Sequence, residues 1–362
     1  MRSFTAAELK SAADQTGMYF PSHVLDQLVA AIDAGKHVIL TGPPGTGKTT
    51  LAYMAAEVAQ QAMLCTGYLP TTATTEWTTF ETIGGLQPTA EGLIYPPGLF
   101  VEAIESGRWL VIDELNRSNF DRAFGQLFTV LSGQPVVLPF KRKGQPNPLS
   151  LVPTGAEAPR DTDVIRLPSR WRIIATMNVF DKNLLFEMSY ALMRRFAFIE
   201  VGTPDEASYQ ALLQGPGQIV TQLLPLRNFS DLGPAVYLDA ARYAARRRQD
   251  GASHSRLLYE VFYAYFLPQF EGFDDLRATK LYRTVEGLFD PEEQAEAQRT
   301  IQGVLGVELT LHGGKSYRGR VGGVGDHAVL LTEIEGREFF DAWIALGEVA
   351  ARIRAADPRR LA

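Results

Sequence analysis

The chain has 362 residues, 46% hydrophobic and 21% charged, which are ordinary globular proportions that exclude a disordered, collagen-like or low-complexity protein and predict about two domains. Its 35 basic residues against 41 acidic ones leave a net charge of −6, so any contact with nucleic acid has to be local rather than spread over the surface.

Residues 1–36 read as two helices. The second opens at Pro21, a residue suited to the first helical position, and Val24, Leu25, Leu28, Val29 and Ile32 share one of its faces. His37–Thr41 is a short apolar run ending in a glycine-rich turn, which predicts a buried strand. A helix is expected from about Gly47 to Gln61 and a second strand over 62–67. The threonine- and glycine-rich stretch 68–98 fits a β-hairpin carried on a loop, with Gly84-Gly85 as a turn and Pro96-Pro97-Gly98 closing it. A short helix over 99–106 leads to a buried strand, Trp109–Asp113. Ser118 and Asp121 form a capping-box pattern for the next helix, whose buried stripe is Phe120, Ala123, Phe124, Leu127 and Leu131.

Six prolines between 139 and 168 predict an irregular insert rather than a packed element. Val136–Leu138 and Val164–Leu167 are apolar enough to pair as two strands, with Lys141-Arg142-Lys143 at the tip between them. Trp171–Thr176 reads as a strand, 184–193 as a helix and Phe196–Val201 as a strand. Strand and helix thus alternate over 37–201, the α/β pattern of a parallel sheet with crossover helices. From Pro204 to about Gly303 the pattern is helical. Residues 304–335 are glycine-rich with short β-like runs, and 337–355 are helical again. The single cysteine, Cys65, excludes an internal disulfide framework and a cysteine zinc cluster. No apolar run approaches about 18 residues, and the first residues lack the apolar core of a signal peptide. The expected location is a reducing cytoplasm, without membrane contact.

The strongest chemical signal is Gly42-Pro43-Pro44-Gly45-Thr46-Gly47-Lys48-Thr49. It matches G-x-x-x-x-G-K-[ST] between a predicted strand and a predicted helix, the context a phosphate-binding loop requires. Its glycines let backbone N–H groups turn inward around an anion, and the helix N-terminus adds its positive end. Lys48 reaches the β- and γ-phosphates, the Thr49 hydroxyl is a Mg²⁺ ligand, and Thr50 completes the nucleotide-binding run. The second signal is Trp109-Leu110-Val111-Ile112-Asp113-Glu114. Four apolar residues carry a carboxylate pair to the strand's C-terminal end, where ligands sit in open α/β sheets. Asp113 is expected to hold the hydrated Mg²⁺ beside Thr49. Glu114 is expected to orient and deprotonate the water that attacks the γ-phosphate.

The runs GPPGTGKTT, LVIDELNRSNFDRAFGQLFTVLSG, WRIIATMN and ALMRRFAFIEV together resemble the AAA+ ATPases. Within them they are most similar to the clade with an insert in its second helix, which includes McrB restriction GTPases, MoxR chaperones and dynein-related modules. The resemblance covers about residues 20–300, and its most specific tokens are 113–117 and 175–178. It implies a P-loop α/β domain over 37–203, after the N-terminal helices of 1–36, with the helix-2 insert at about 74–98. A helical lid over 204–303 and a small extension over 304–362 follow.

The resemblance also implies roles. Asn178 looks like sensor 1, an amide that hydrogen-bonds the γ-phosphate or the lytic water. Arg194 and Arg195 precede Phe196 where the family carries its arginine finger, supplied to a neighbouring subunit's transferring phosphoryl group. Gly251–Arg256 resembles a MoxR-type sensor 2, with Arg256 reaching over the nucleotide, although His254 stands where proline is common. Arg117 either touches a neighbour's nucleotide or is a solvated helix start.

The whole implies Mg-ATP bound between subunits of a homo-oligomeric, hexameric ring. The ring is either a McrB-like motor serving a separate nuclease or a MoxR-like chaperone that remodels or metallates a partner protein of von Willebrand type. A nucleotide switch with little turnover is the rival of another class. The McrB resemblance raises GTP, but no guanine-reading motif is visible, so ATP is expected. The basic tip at 141–143 suits a local contact with nucleic acid or an acidic surface. Tyr259, Phe262, Tyr263, Phe266 and Phe270 are expected to pack the lid core, and Arg246-Arg247-Arg248 to form a solvated helix face. The five histidines show no ligand spacing, so no metal besides Mg²⁺ is expected.

Overall fold

The computed structural model describes residues 4–90, 92–178 and 193–309, together with 317–318 and 330–331. The chain divides into two compact units, Met1–Gly251 and Ala252–Ala362.

In the first unit, α1 (Ala6–Thr16) and α2 (Ser22–Asp33) precede β1 (His37–Gly42) and α3 (Lys48–Gln61). Then come β2 (Tyr68–Thr72), a single helical turn α4 (Thr79–Thr82), the antiparallel hairpin β3 (Gln87–Thr89) and β4 (Gly92–Ile94), and α5 (Leu99–Glu105). Strand β5 (Trp109–Asp113) leads through a 3-10 turn, Leu115–Arg117, to α6 (Phe120–Phe124) and α7 (Leu127–Leu131). Strands β6 (Val136–Val137), β7 (Leu149–Pro153) and β8 (Asp163–Leu167) follow, then β9 (Ile173–Asn178) and β10 (Phe196–Glu200). The unit ends with α8 (Glu206–Leu212), a long 3-10 stretch and α9 (Pro234–Gln249).

Five of these strands form one parallel sheet in the order β10-β1-β9-β5-β2. Its inner strands are apolar on both faces, as parallel strands between helix layers must be. Ile39, Leu110, Ile112, Ile173 and Ala175 pack on one face with Phe100, Phe124 and Leu127. Val38, Leu40, Trp109, Val111 and Ile174 pack on the other with Leu25, Leu28, Leu51 and Ala55. Each large aliphatic or aromatic side chain buried this way contributes about 1.5–3 kcal/mol. The register sets Gly42 beside Asn178 and Ile112 beside Ala175, so the carboxyl ends of β1, β5 and β9 converge at one edge.

Several local expectations need correction. Residues 62–67 are a turn that closes α3, with Met63 in the left-handed region at φ 58; the strand begins at Tyr68. Its Pro70 is tolerated because β2 is an edge strand. Pro21 caps α2 from outside rather than occupying its first turn. Asn119, not Ser118, caps the helix after Asp113: its Oδ1 accepts from the Arg122 N–H at 2.9 Å. That helix is two short ones, interrupted at Gly125, and β9 starts at Ile173 rather than Trp171.

The insert of 139–168 is packed, not irregular. β6, β7 and β8 form a three-stranded sheet with β7 in the middle, antiparallel to β6 and parallel to β8. Val136–Leu138 and Val164–Leu167 therefore do not pair with each other. All five residues of β7 are buried, and Leu149, Leu151 and Ile165 join the core that holds Phe100 and Phe124. The prolines sit at strand ends and in the connections, where no ladder N–H is needed. The basic tip is partly neutralised, because Arg142 pairs with Glu105 and, at 3.4 Å, with Asp163.

In the second unit α10 (His254–Val261) runs on through a π turn, Phe262–Phe266, before α11 (Asp275–Val285) and α12 (Pro291–Leu305). Phe262, Phe266 and Phe270 are fully buried, and Tyr259 nearly so. Tyr263 is 48% exposed, because the wider π turn shifts the helical period by about one residue. Short strands β11 (Tyr317–Arg318) and β12 (Leu330–Leu331) pair antiparallel. The helices expected at 184–193 and 337–355 fall outside the described residues, apart from the end of the first.

Candidate active site

The loops at the carboxyl edge of the sheet enclose a cavity of about 410 Å³. Its phosphate side is the P-loop. A Cβ on Gly42 would sit 2.2 Å from the Val201 carbonyl oxygen, so only glycine lets the chain leave β1 there. Thr46 is buried, its hydroxyl donating to the Pro43 carbonyl at 3.0 Å. Lys48 is 6% exposed, and its ammonium donates to the carbonyls of Gly42 at 2.9 Å and Pro43 at 2.7 Å. Pro44, Gly45, Gly47, Lys48, Thr49 and Thr50 all face the cavity.

The carboxylates stand opposite. Asp113 Oδ1 accepts from the Thr49 hydroxyl at 2.7 Å and from the Thr176 hydroxyl at 2.5 Å. Glu114 lines the cavity in the left-handed conformation, φ 52, and its N–H donates to Thr176 Oγ1 at 3.1 Å. Asn178 lines the same cavity, placed there by its register with Gly42. The structure thus gathers Lys48, Thr49, Asp113, Glu114 and Asn178 around one space. Thr176 joins them and was missed. Its signal was present in the Ala-Thr-Met-Asn run, since residues two apart on a strand share a face. The paired oxygens of Thr49 and Asp113 fit Mg²⁺, which takes few protein oxygens and completes its shell with phosphate and water. Among the described residues no group of three or more His, Cys, Asp and Glu could hold a metal, and no helix is long and apolar enough to cross a membrane.

The far side of the cavity was also missed. Met18 and Tyr19, between α1 and α2, face Leu212 and one side of α9, namely Pro234, Ala235, Leu238, Asp239 and Arg242. Their largely apolar surfaces suit a flat base. The N-terminus of α9 is tied to the P-loop, with the Ala235 N–H donating to the Gly45 carbonyl at 3.1 Å. All the lining residues belong to the first unit, so the arginine of the cavity wall is Arg242, ion-paired to Asp239 at 2.9 Å. Arg256, in the second unit, is engaged by Glu296 at 2.6 Å and Glu260 at 3.3 Å and lies over the Tyr259 ring.

Arg194 and Arg195 are not part of this chain's own cavity. They precede β10, and Phe196 pairs with His37 at the amino end of the sheet, a strand's length (~17 Å) from the P-loop edge. Arg194 is exposed. Arg195 is half-buried, with its Nε enclosed and without a hydrogen-bond partner. Burial, Arg172 and Arg195 together hold the His37 imidazole neutral, with its pKa lowered to about 3, and its Nδ1 accepts the Ile173 N–H at 2.9 Å.

Burial lowers the Lys48 pKa to about 8, against the pull of Asp113 and Glu114. A bound triphosphate favours the ammonium, so binding raises that pKa and takes up a proton wherever the free site is deprotonated. Affinity is therefore expected to fall as pH rises through 8, with proton uptake growing between pH 7 and 9. Calorimetry in buffers of different ionisation enthalpy measures it; zero uptake at pH 9 refutes the coupling.

Residues 37–196 match the family described as AAA domain, dynein-related subfamily. The chain is 27% identical over 196 residues to the McrB subunit of the type IV methyl-directed restriction enzyme EcoKMcrB of Escherichia coli (strain K12), covering 51% of this chain and 39% of that protein. It is 28% identical over 204 residues to an uncharacterized protein of Staphylococcus aureus (strain USA300), covering 55% of this chain and 70% of that one.

Proposed function

We propose, from the premise that residues 37–196 are an AAA domain of the dynein-related subfamily, that this chain binds and hydrolyses Mg-ATP at the interfaces of a hexameric ring, as the motor for a separate nuclease. The observation that carries hydrolysis is the meeting of Lys48, Thr49, Asp113 and Glu114 on one cavity. The nuclease partner rests on the likeness to McrB, a subunit of a restriction enzyme.

Lys48 exchanges its carbonyl partners at Gly42 and Pro43 for the β- and γ-phosphates. Glu114 orients a water in line with the γ-phosphate and accepts its proton. Asn178 hydrogen-bonds the γ-phosphate or that water. Thr49 and Asp113 would hold Mg²⁺, which would supply charge neutralisation at the phosphates. Arg194 or Arg195 of a neighbouring copy stabilises the charge of the transferring group. The walls of Met18, Leu212 and Leu238 offer apolar surface to the purine base, and ATP is the nucleotide proposed.

The test is Mg²⁺-dependent phosphate release with ATP and GTP as competitors. Mixing Lys48→Ala chains with Arg194→Ala/Arg195→Ala chains should restore part of the activity each lacks, because a mixed interface joins an intact P-loop to an intact finger. No recovery in proven mixed oligomers rejects the shared site.

A further inference from the structure

Glu114 is held at both ends by groups of its own chain. Its backbone N–H is pinned by Thr176 Oγ1, which itself bonds Asp113. Its carboxylate Oε2 lies 2.5 Å from Arg117 Nε. The local fold makes that ion pair. After β5 the chain enters the left-handed region at Glu114 and closes a 3-10 turn, with the Arg117 N–H donating to the Glu114 carbonyl at 2.9 Å. In such a turn residues three apart eclipse, so the guanidinium is set over the carboxylate. Leu115, fully buried, anchors the turn, and the Ser118 N–H and hydroxyl both donate to its carbonyl, at 3.1 and 3.0 Å. A non-glycine residue at φ 52 is sparsely populated backbone, and it is retained here at the residue that must face the attacking water.

We infer that Arg117 is a positioning residue for Glu114, acting within its own chain. It fixes the carboxylate through Oε2 and leaves Oε1 to take the proton of the water. The inference rests on the reading of this cavity as an ATPase site. Arg117 does not line the cavity and its side chain is 59% exposed, so its removal leaves nucleotide contacts in place and disturbs the fold little.

The experiment measures ATP affinity and turnover for Arg117→Ala and Arg117→Lys, and then mixes Arg117→Ala with Lys48→Ala chains. Affinity is expected to stay within about twofold while kcat falls by about 10- to 100-fold, the loss typical of a misplaced reacting group. Arg117→Lys should recover part of kcat, since its ammonium still reaches the carboxylate. The mixture should not rise above the residual turnover of the Arg117→Ala chains, because no single chain then has an intact P-loop, Glu114 and Arg117 together. Wild-type turnover in Arg117→Ala overturns the inference, as does recovery in the mixture, which would mean that Arg117 serves the neighbouring subunit. Absence of hydrolysis by the unaltered chain, with ATP still bound, overturns the ATPase reading and this inference with it, and is separately visible.

Discussion

Lys48→Ala is expected to abolish nucleotide binding, while Glu114→Gln keeps binding and loses turnover by a factor of about 10² to 10⁴, the usual worth of a positioned general base. The two residues stand on the same cavity but act at different moments. Lys48 contacts ground-state phosphates, so its loss raises the dissociation constant directly. The buried Lys48 ammonium donates to two carbonyls, of Gly42 and Pro43, and truncating the side chain leaves the P-loop without its cation. Glu114 acts on the water in the transition state, so its amide substitute lowers kcat with little change in affinity. Titration with a fluorescent ATP analogue, followed by phosphate release, separates the two effects. Hydrolysis at the wild-type rate by Glu114→Gln would remove Glu114 from the base role.

Gly233→Ala is expected to weaken ATP binding by about tenfold or more and to lower the Tm by several degrees, although Gly233 carries no chemical group. A Cβ there would lie 2.3 Å from the Gly45 carbonyl carbon and 2.5 Å from the Pro44 carbonyl oxygen. Both neighbours are P-loop backbone, which cannot yield without moving the phosphate cradle. The alternative is to push α9 away, which breaks the Ala235–Gly45 hydrogen bond and opens the wall carrying Leu238 and Arg242. Overpacking of this kind costs about 1–3 kcal/mol. Gly202→Ala is the control, because nothing lies within 4 Å of the added carbon. Unchanged affinity in Gly233→Ala would show that the contact between α9 and the P-loop is dispensable.

The sequence by itself determined the chemical inventory of the phosphate side. The P-loop and the Trp109–Glu114 run are contiguous, and each is a strand, a turn and a reactive group whose order is dictated by local geometry. The central strands of the parallel sheet, β1, β5 and β9, were legible for the same reason, because each is built on an apolar run. The β2 strand escaped notice since Tyr-Leu-Pro-Thr-Thr reads as loop; only its place at the sheet edge makes proline acceptable. The β7 strand escaped for a related reason: proline content flagged its surroundings, while the burial of Leu149–Pro153 comes from flanking strands and a core contributed by distant segments.

What only the tertiary structure decided is which distant residues share the cavity. Met18 and Tyr19 come from the connection between α1 and α2, and Leu212 and Arg242 from two separate helices, and nothing in the local spacing of these segments points to a common ligand. Thr176 acquires its part from the register of β9 against β5, which aligns Ala175 with Ile112 and so brings its hydroxyl to Asp113. Local propensity fixes residues within a turn or two of one another. Contacts across a hundred residues depend on strand register and helix docking, which are set by the packing of the whole unit.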